Sequence, residues 1–155
     1  MSNENRPSLI VRIPTPLWFF AFVVIALGVC ALFPVQPTLR HWPTGAVLIV
    51  IGVALAGWGR LTFKKHNAAI IPASESHPAF VESGPFRFTR NPMYLGIIVL
   101  AIGVALVVGT WLMWLVPVVL FVFDNFVIIP FEERSMERTF GDAFVAYKAR
   151  VRRWL

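Results

Sequence analysis

The chain has 155 residues, is 57% hydrophobic and only 14% charged, and carries a net charge of +6. A soluble domain of this size has no use for so much apolar surface, because its outside faces water. The composition instead fits one membrane domain over 1–155, and Cys30, the lone cysteine, excludes an intrachain disulfide and a cysteine-based metal site.

The first segment, Met1 to Ile13, is polar and holds Arg6 and Arg12. The apolar run after it is too long for a signal-peptide core and lacks a small-residue cleavage site, so it reads as a retained helix. Span one runs from Leu17 to Phe33, started by Pro14 and Pro16 and stopped by Pro34 and Pro37. Span two runs from Thr44 to Leu61, with Pro43 in its first turn. Its Gly52, Gly57 and Gly59, with Ala54 and Ala56, predict close helix packing.

The segment from Lys64 to Ser83 is the one long connection, and such a loop is often functional. Span three runs from Met93 to Val108, short against the roughly 17–25 residues a membrane helix needs. Gly109-Thr110 turns the chain into span four, Trp111 to Phe131. Beyond it Met136, Phe140, Phe144, Tyr147 and Val151 mark one face of an amphipathic interfacial helix. Gly141 either weakens that helix or breaks it in two. The fold class is therefore all-α: a polytopic membrane protein of four transmembrane helices plus a C-terminal amphipathic helix.

Thirteen of the fourteen Lys and Arg residues lie before span one, between spans two and three, or after span four; only Arg40 lies on the other face. The positive-inside rule makes those thirteen, and both termini, cytoplasmic. The same charges serve topology and anionic headgroups, so a nucleic-acid partner is not expected. His41, His66 and His77 have no metal-ligand spacing, so no metal is expected.

Two charged clusters then fall on one membrane face. Asn91-Pro92 reads as a helix start, with Asn91 as cap, and Arg87 and Arg90 beside it make an anion site. Capping plus anchoring explains the same residues. Glu132 and Glu133 complement the dipole of a first helical turn, or bind an ammonium or ribose hydroxyls. Asp124-Asn125 sits inside span four, where a charge faces the protein interior; Asp124 either pairs with Arg60, lines a cavity or makes an interhelical hydrogen bond.

The stretch Gly84-Pro85-Phe86-Arg87-Phe88-Thr89-Arg90-Asn91-Pro92-Met93-Tyr94-Leu95-Gly96, then Glu132-Glu133, then Phe140-Gly141-Asp142-Ala143-Phe144-Val145-Ala146-Tyr147, resembles the isoprenylcysteine carboxyl methyltransferase and phospholipid methyltransferase family. The resemblance covers Phe80 to Leu155, with the cofactor motifs inside 78–155. It implies an integral membrane enzyme that moves a methyl group from S-adenosylmethionine to a lipophilic acceptor and leaves S-adenosylhomocysteine. It further implies cofactor contacts at Ala79, Phe80, Val81, Phe86, Arg90, Asn91, Pro92, Met93, Tyr94, Glu132 and Glu133. Two positions depart from the pattern. Asn91 stands where many members carry histidine and cannot titrate. Ile128 stands where prenylcysteine carboxyl methylators carry an arginine, which argues against a prenylcysteine carboxylate as acceptor. The alternative reading is a non-catalytic scaffold or anionic-lipid-binding module; a transporter is weaker, because four short spans show no inverted repeat.

Overall fold

A computed structural model describes residues 13–33, 36–66 and 80–155. The described residues form an all-helical bundle. Helix α1 spans Thr15–Leu32, α2 spans Trp42–Lys65, and a single 3₁₀ turn, Gly84–Arg87, leads to α3, Pro92–Val108. Helix α4 spans Trp111–Phe123, a π turn follows at Asp124–Ile128, α5 spans Ile129–Phe140, and α6 spans Asp142–Arg150. Three helical runs are long and apolar enough to cross a membrane: α1, α2 and the continuous run Trp111–Phe140; α3 is apolar but shorter.

The expected fourth span stops at Phe131, whereas the helix continues to Phe140. The cause is local. Pro130 has no N–H and collides with a carbonyl four residues back in a regular helix. The chain widens instead, and Ile129 N–H reaches the carbonyl of Asp124, five residues back. The helix then runs on until Gly141, whose φ of 53° lies in the left-handed region. The amphipathic C-terminal helix is thus two short helices, the second of the two readings of Gly141. Phe140, Phe144 and Tyr147 still share a surface, because all three pack on the Phe80 ring.

The tightest helix pair is α2 with α3. Gly45, Gly52 and Gly59 recur every seven residues along α2, two turns apart, and are all buried. Gly45 faces Gly103 of α3, Gly52 faces Gly96, and Gly59 faces Met93. A Cβ added to Gly52 would lie 2.6 Å from the Gly96 carbonyl oxygen, and one on Gly103 would lie 2.7 Å from that of Gly45. Lipid tails are as apolar as any side chain, so this pairing gains from backbone approach and dispersion contacts. Gly57 departs from the expectation: it faces open space.

At one end of the bundle the connection between α1 and α2 seals α3. Thr38 N–H donates to Gly109 O at 2.9 Å, His41 N–H to Leu106 O at 3.0 Å, and Arg40 Nε to Val107 O at 3.0 Å. The last carbonyls of a helix have no partner inside it, and these bonds supply three. Arg40, the basic residue outside the main charge clusters, is therefore a helix-end cap. The other end of the bundle carries the 3₁₀ turn, the start of α3, and the α5–α6 region.

Candidate functional site

The charged end is assembled by the last residues of the chain. After α6, residues 151–154 run across the segment that enters α3. Arg90 N–H donates to Arg152 O at 3.0 Å, the Thr89 hydroxyl to Arg153 O at 3.1 Å, and Asn91 Nδ2 to the same Arg153 oxygen at 2.9 Å. Arg90 Nη1 donates to Val151 O at 2.8 Å. At the far side of this strip Trp154 Nε1 donates to Asn125 Oδ1, within the π turn, at 3.0 Å. The tail thus ties the start of α3 to the end of α4.

Glu133 is the electrostatic centre. Its Oε1 accepts from Arg90 Nη2 at 2.8 Å, and its Oε2 from Arg153 Nη2 at 2.6 Å. Two guanidinium groups on one carboxylate make short, charge-assisted bonds. Glu132, the neighbouring acid, turns to a different partner: its Oε1 accepts from the Tyr94 hydroxyl at 2.6 Å. Thus α5 is joined to the segment that enters α3 by an ion cluster and to α3 itself by a phenol–carboxyl pair.

The expected site residues divide into three groups. Tyr94 with Glu132, and Arg90 with Glu133, are brought together. Val81, Phe86, Asn91 and Pro92 are buried in the packing around them. Phe86 stacks edge-on against Phe63 at 4.8 Å, and its carbonyl accepts from the Tyr147 hydroxyl at 2.8 Å. Burial raises the Tyr147 phenol to about 12. Phe80 belongs to the aromatic surface on α5 and α6, and Met93 packs on the bare backbone at Gly59. Ala79 lies outside the described residues, as do residues 67–78 of the long loop.

Two expectations need correction, and a third position takes one of its open alternatives. Asn91 stands at the cap position of α3 but makes no side-chain cap, because its amide nitrogen bonds Arg153 O. Arg90 does not present a free guanidinium, since Glu133, the Lys148 carbonyl of α6 and the Val151 carbonyl of the tail occupy its terminal nitrogens; only its buried Nε is left for an anion, without a partner among the described residues. Asp124 does not pair with Arg60. It accepts from the Thr15 hydroxyl at 3.3 Å, an interhelical hydrogen bond, and Arg60 is exposed.

Sequence reasoning missed Arg153, Trp154 and Thr15. Nothing in a run such as Arg152-Arg153-Trp154 distinguishes a tail that folds back from a surface anchor. It also missed an open pocket of ≈ 350 Å³ beside the 3₁₀ turn, where Trp58, Thr62, Lys65, His66 and Ser83 line the wall. There His66 Nδ1 bonds Thr62 O at 2.9 Å and Nε2 meets Ser83 Oγ at 3.3 Å.

An all-α membrane bundle with one charged, hydrogen-bonded end defines an integral membrane protein with its polar work at the bilayer surface. The family model for phospholipid methyltransferase matches residues 40–143, from the sealing loop before α2 into the start of α6. The chain belongs to the phospholipid methyltransferase family. It is also similar to an uncharacterized protein of Haemophilus influenzae, 36% identical over 63 residues, which covers 41% of this chain and 100% of that protein. No solved structure matches the chain. Family membership assigns the chain to methyl-transfer chemistry on lipids.

Proposed function

We propose that the protein is an S-adenosylmethionine-dependent methyltransferase of the bacterial inner membrane, with both termini cytoplasmic and a lipophilic acceptor that enters from the bilayer. The observation that carries this reading is the meeting of Tyr94 with Glu132 beside the Arg90–Glu133–Arg153 cluster. It concentrates an acid, a hydroxyl and cationic nitrogens at one point, beside the aromatic surface around Phe80.

The residues fit the methyl donor in charge and shape. The orphaned Arg90 Nε is a buried hydrogen-bond donor and suits a carboxylate. Glu132 suits an ammonium or a ribose hydroxyl, and the rings of Phe80 and Tyr94 suit an adenine or a sulfonium. When bound, S-adenosylmethionine supplies an electrophilic methyl group. The chain's own part is to orient and to exclude water. Glu133 holds Arg90 and Arg153 in place, Tyr94 fixes the Glu132 carboxyl, and the tail keeps the entry to α3 against the end of α4.

The test is calorimetric titration of S-adenosylhomocysteine into detergent-solubilised protein. Glu132→Gln is expected to weaken binding about tenfold, or roughly 1.4 kcal/mol, and to leave the melting temperature nearly unchanged. Unchanged binding with a large loss of stability would mean that Glu132 only holds the helices together.

A further inference from the structure

The first helix lies outside the matched family region, which begins at residue 40, yet it reaches the charged end of the bundle. Thr15, Phe19 and Ala26 are its buried residues, and their spacing of four and seven puts them on one helix face. Phe19 and Ala26 pack into the apolar core with Ala101 of α3 and with Val116 and Leu120 of α4. Along the seam between α1 and α4, Cys30 Sγ lies 3.7 Å from Thr110 Oγ1 at one end and Thr15 meets Asp124 at the other. The two helices therefore run antiparallel, with their register fixed at both ends. Packing that begins one turn further along α1 holds Thr15 in place.

The Thr15 hydroxyl stands between two other polar groups. It donates to Asp124 Oδ1 at 3.3 Å, and it also neighbours the Tyr94 phenol. A hydroxyl has one proton to give. An O–H···O bond is ordinarily about 2.5–3.0 Å long, so at 3.3 Å the bond to Asp124 leaves that proton shared between two acceptors. The Tyr94 phenol has given its own proton to Glu132 Oε1, at 2.6 Å, and its oxygen is open to accept. Asp124 has no solvent exposure, and Thr15 is the partner of its one bonded oxygen; Oδ2 has none among the described residues. The carboxyl thus holds the Thr15 hydroxyl at the seam. Helix α1 begins at Thr15 and brings the positive end of its dipole to the same carboxyl. One polar chain results: Asp124 of the π turn, Thr15 of α1, Tyr94 of α3 and Glu132 of α5.

We infer that Thr15 is a positioning residue of the donor site: its hydroxyl, held by Asp124, fixes the Tyr94 phenol in the orientation that bonds Glu132. The inference rests on the methyl-transfer reading for what Glu132 then binds. Glu132 has competing partners close by. Arg90 and Arg153 bond the adjacent Glu133, and a carboxylate gains more from a guanidinium than from a neutral phenol. Tyr94 is what holds Glu132 apart from them. A phenol whose oxygen is bonded on both sides turns away less readily than one bonded only through its proton. Removing the Thr15 hydroxyl leaves a buried phenol oxygen and a buried carboxyl each short of a donor. Glu132 then no longer sits in one place for the donor's ammonium or ribose. The first helix of this chain thereby completes a site otherwise built from α3, α5 and the tail.

The test measures S-adenosylhomocysteine binding and the state of the Tyr94 ring on the same detergent-solubilised protein. The chain has two tyrosines, Tyr94 and Tyr147, so protein isotope-labelled at tyrosine Cζ gives two magnetic resonances, and Tyr147→Phe assigns the one that remains to Tyr94. Thr15→Val keeps the branched shape without the hydroxyl. It is expected to move the Tyr94 resonance, to leave that of Tyr147 in place, and to weaken nucleoside binding about fivefold, the effect of one hydrogen bond. Thr15→Ser restores the hydroxyl and is expected to return both readouts to the parent values. In a Tyr94→Phe background Thr15→Val is expected to change binding no further, because Thr15 acts through that phenol. Should Thr15→Val fail to fold with Asp124 left unbonded, Thr15→Val combined with Asp124→Leu removes both partners and is compared with Asp124→Leu alone. A Tyr94 resonance that ignores the valine, a binding loss that serine does not rescue, or an equal loss in the Tyr94→Phe background overturns the inference. The two readings fail separately. If the parent protein binds no nucleoside the donor-site reading falls, while the Tyr94 resonance still decides whether Thr15 positions the phenol.

Discussion

At the residue scale, adjacent acids do different work because a helix turns them to different neighbours. Glu133 faces two guanidiniums and is a structural ion centre, while Glu132 faces a phenol and keeps its second oxygen for other company. The doublet was legible in the sequence; the division of labour was not, because one partner, Arg153, comes from a tail whose path no local pattern specifies. The same tail displaces Asn91 from the capping role that its position before Pro92 predicts. Tyr147 gives a pH-dependent test of this region. Its phenol donates to Phe86 O, and burial raises it from the ordinary tyrosine value to about 12. The fold therefore favours the neutral phenol. Its contribution is fully present below pH 10 and is lost as pH rises through about 12. Below that window Tyr147→Phe should cost about 1 kcal/mol of stability, and the difference from the parent protein should shrink towards its upper end. Denaturation curves across this range check the point; a constant difference would mean that the phenol titrates alike in the folded and unfolded chain.

At the element scale, the fold follows from small residues and prolines more than from hydropathy. The four apolar runs were legible because composition alone requires lipid around them. Span ends were less so. Span four was read as ending at Phe131, just past Pro130, yet the helix continues because a π turn absorbs the proline, widening by one residue to remove the clash without breaking the ladder. The glycine stripe was read in part: Gly52 and Gly59 do contact α3, and Gly57, only two residues from Gly59, points away. A period of seven, with Gly45 included, was the signal that distinguished them. Gly96→Val should cost about 1–3 kcal/mol, because its Cβ would sit 2.6 Å from the Ala56 nitrogen, which cannot move aside. Gly57→Val, at open space, should stay within about 0.5 kcal/mol. Detergent-solubilised melting curves distinguish the two, and equal losses would contradict the close approach of α2 and α3.

At the scale of the whole molecule, the bundle separates two environments. The charged end gathers residues from the entry to α3, from α5 and from the chain's last strip, and between α1 and α4 an open groove is lined by apolar side chains alone. That separation matches a reaction between a polar nucleoside and a greasy acceptor. The charged end was foreshadowed by the order of its motifs, because chain order and membrane crossing together require the start of α3 and the end of the α4–α5 run to share a face. The seam was not foreshadowed, since neither apolar run carries any mark of which neighbour it meets. The most direct measurement incubates purified protein with membrane lipid extract and S-adenosylmethionine labelled on its methyl group, then counts label in the organic phase. Label should appear in a lipid and fall sharply with Glu132→Gln. An organic phase without label, from protein that still binds S-adenosylhomocysteine, would contradict methyl transfer to a lipid at this site.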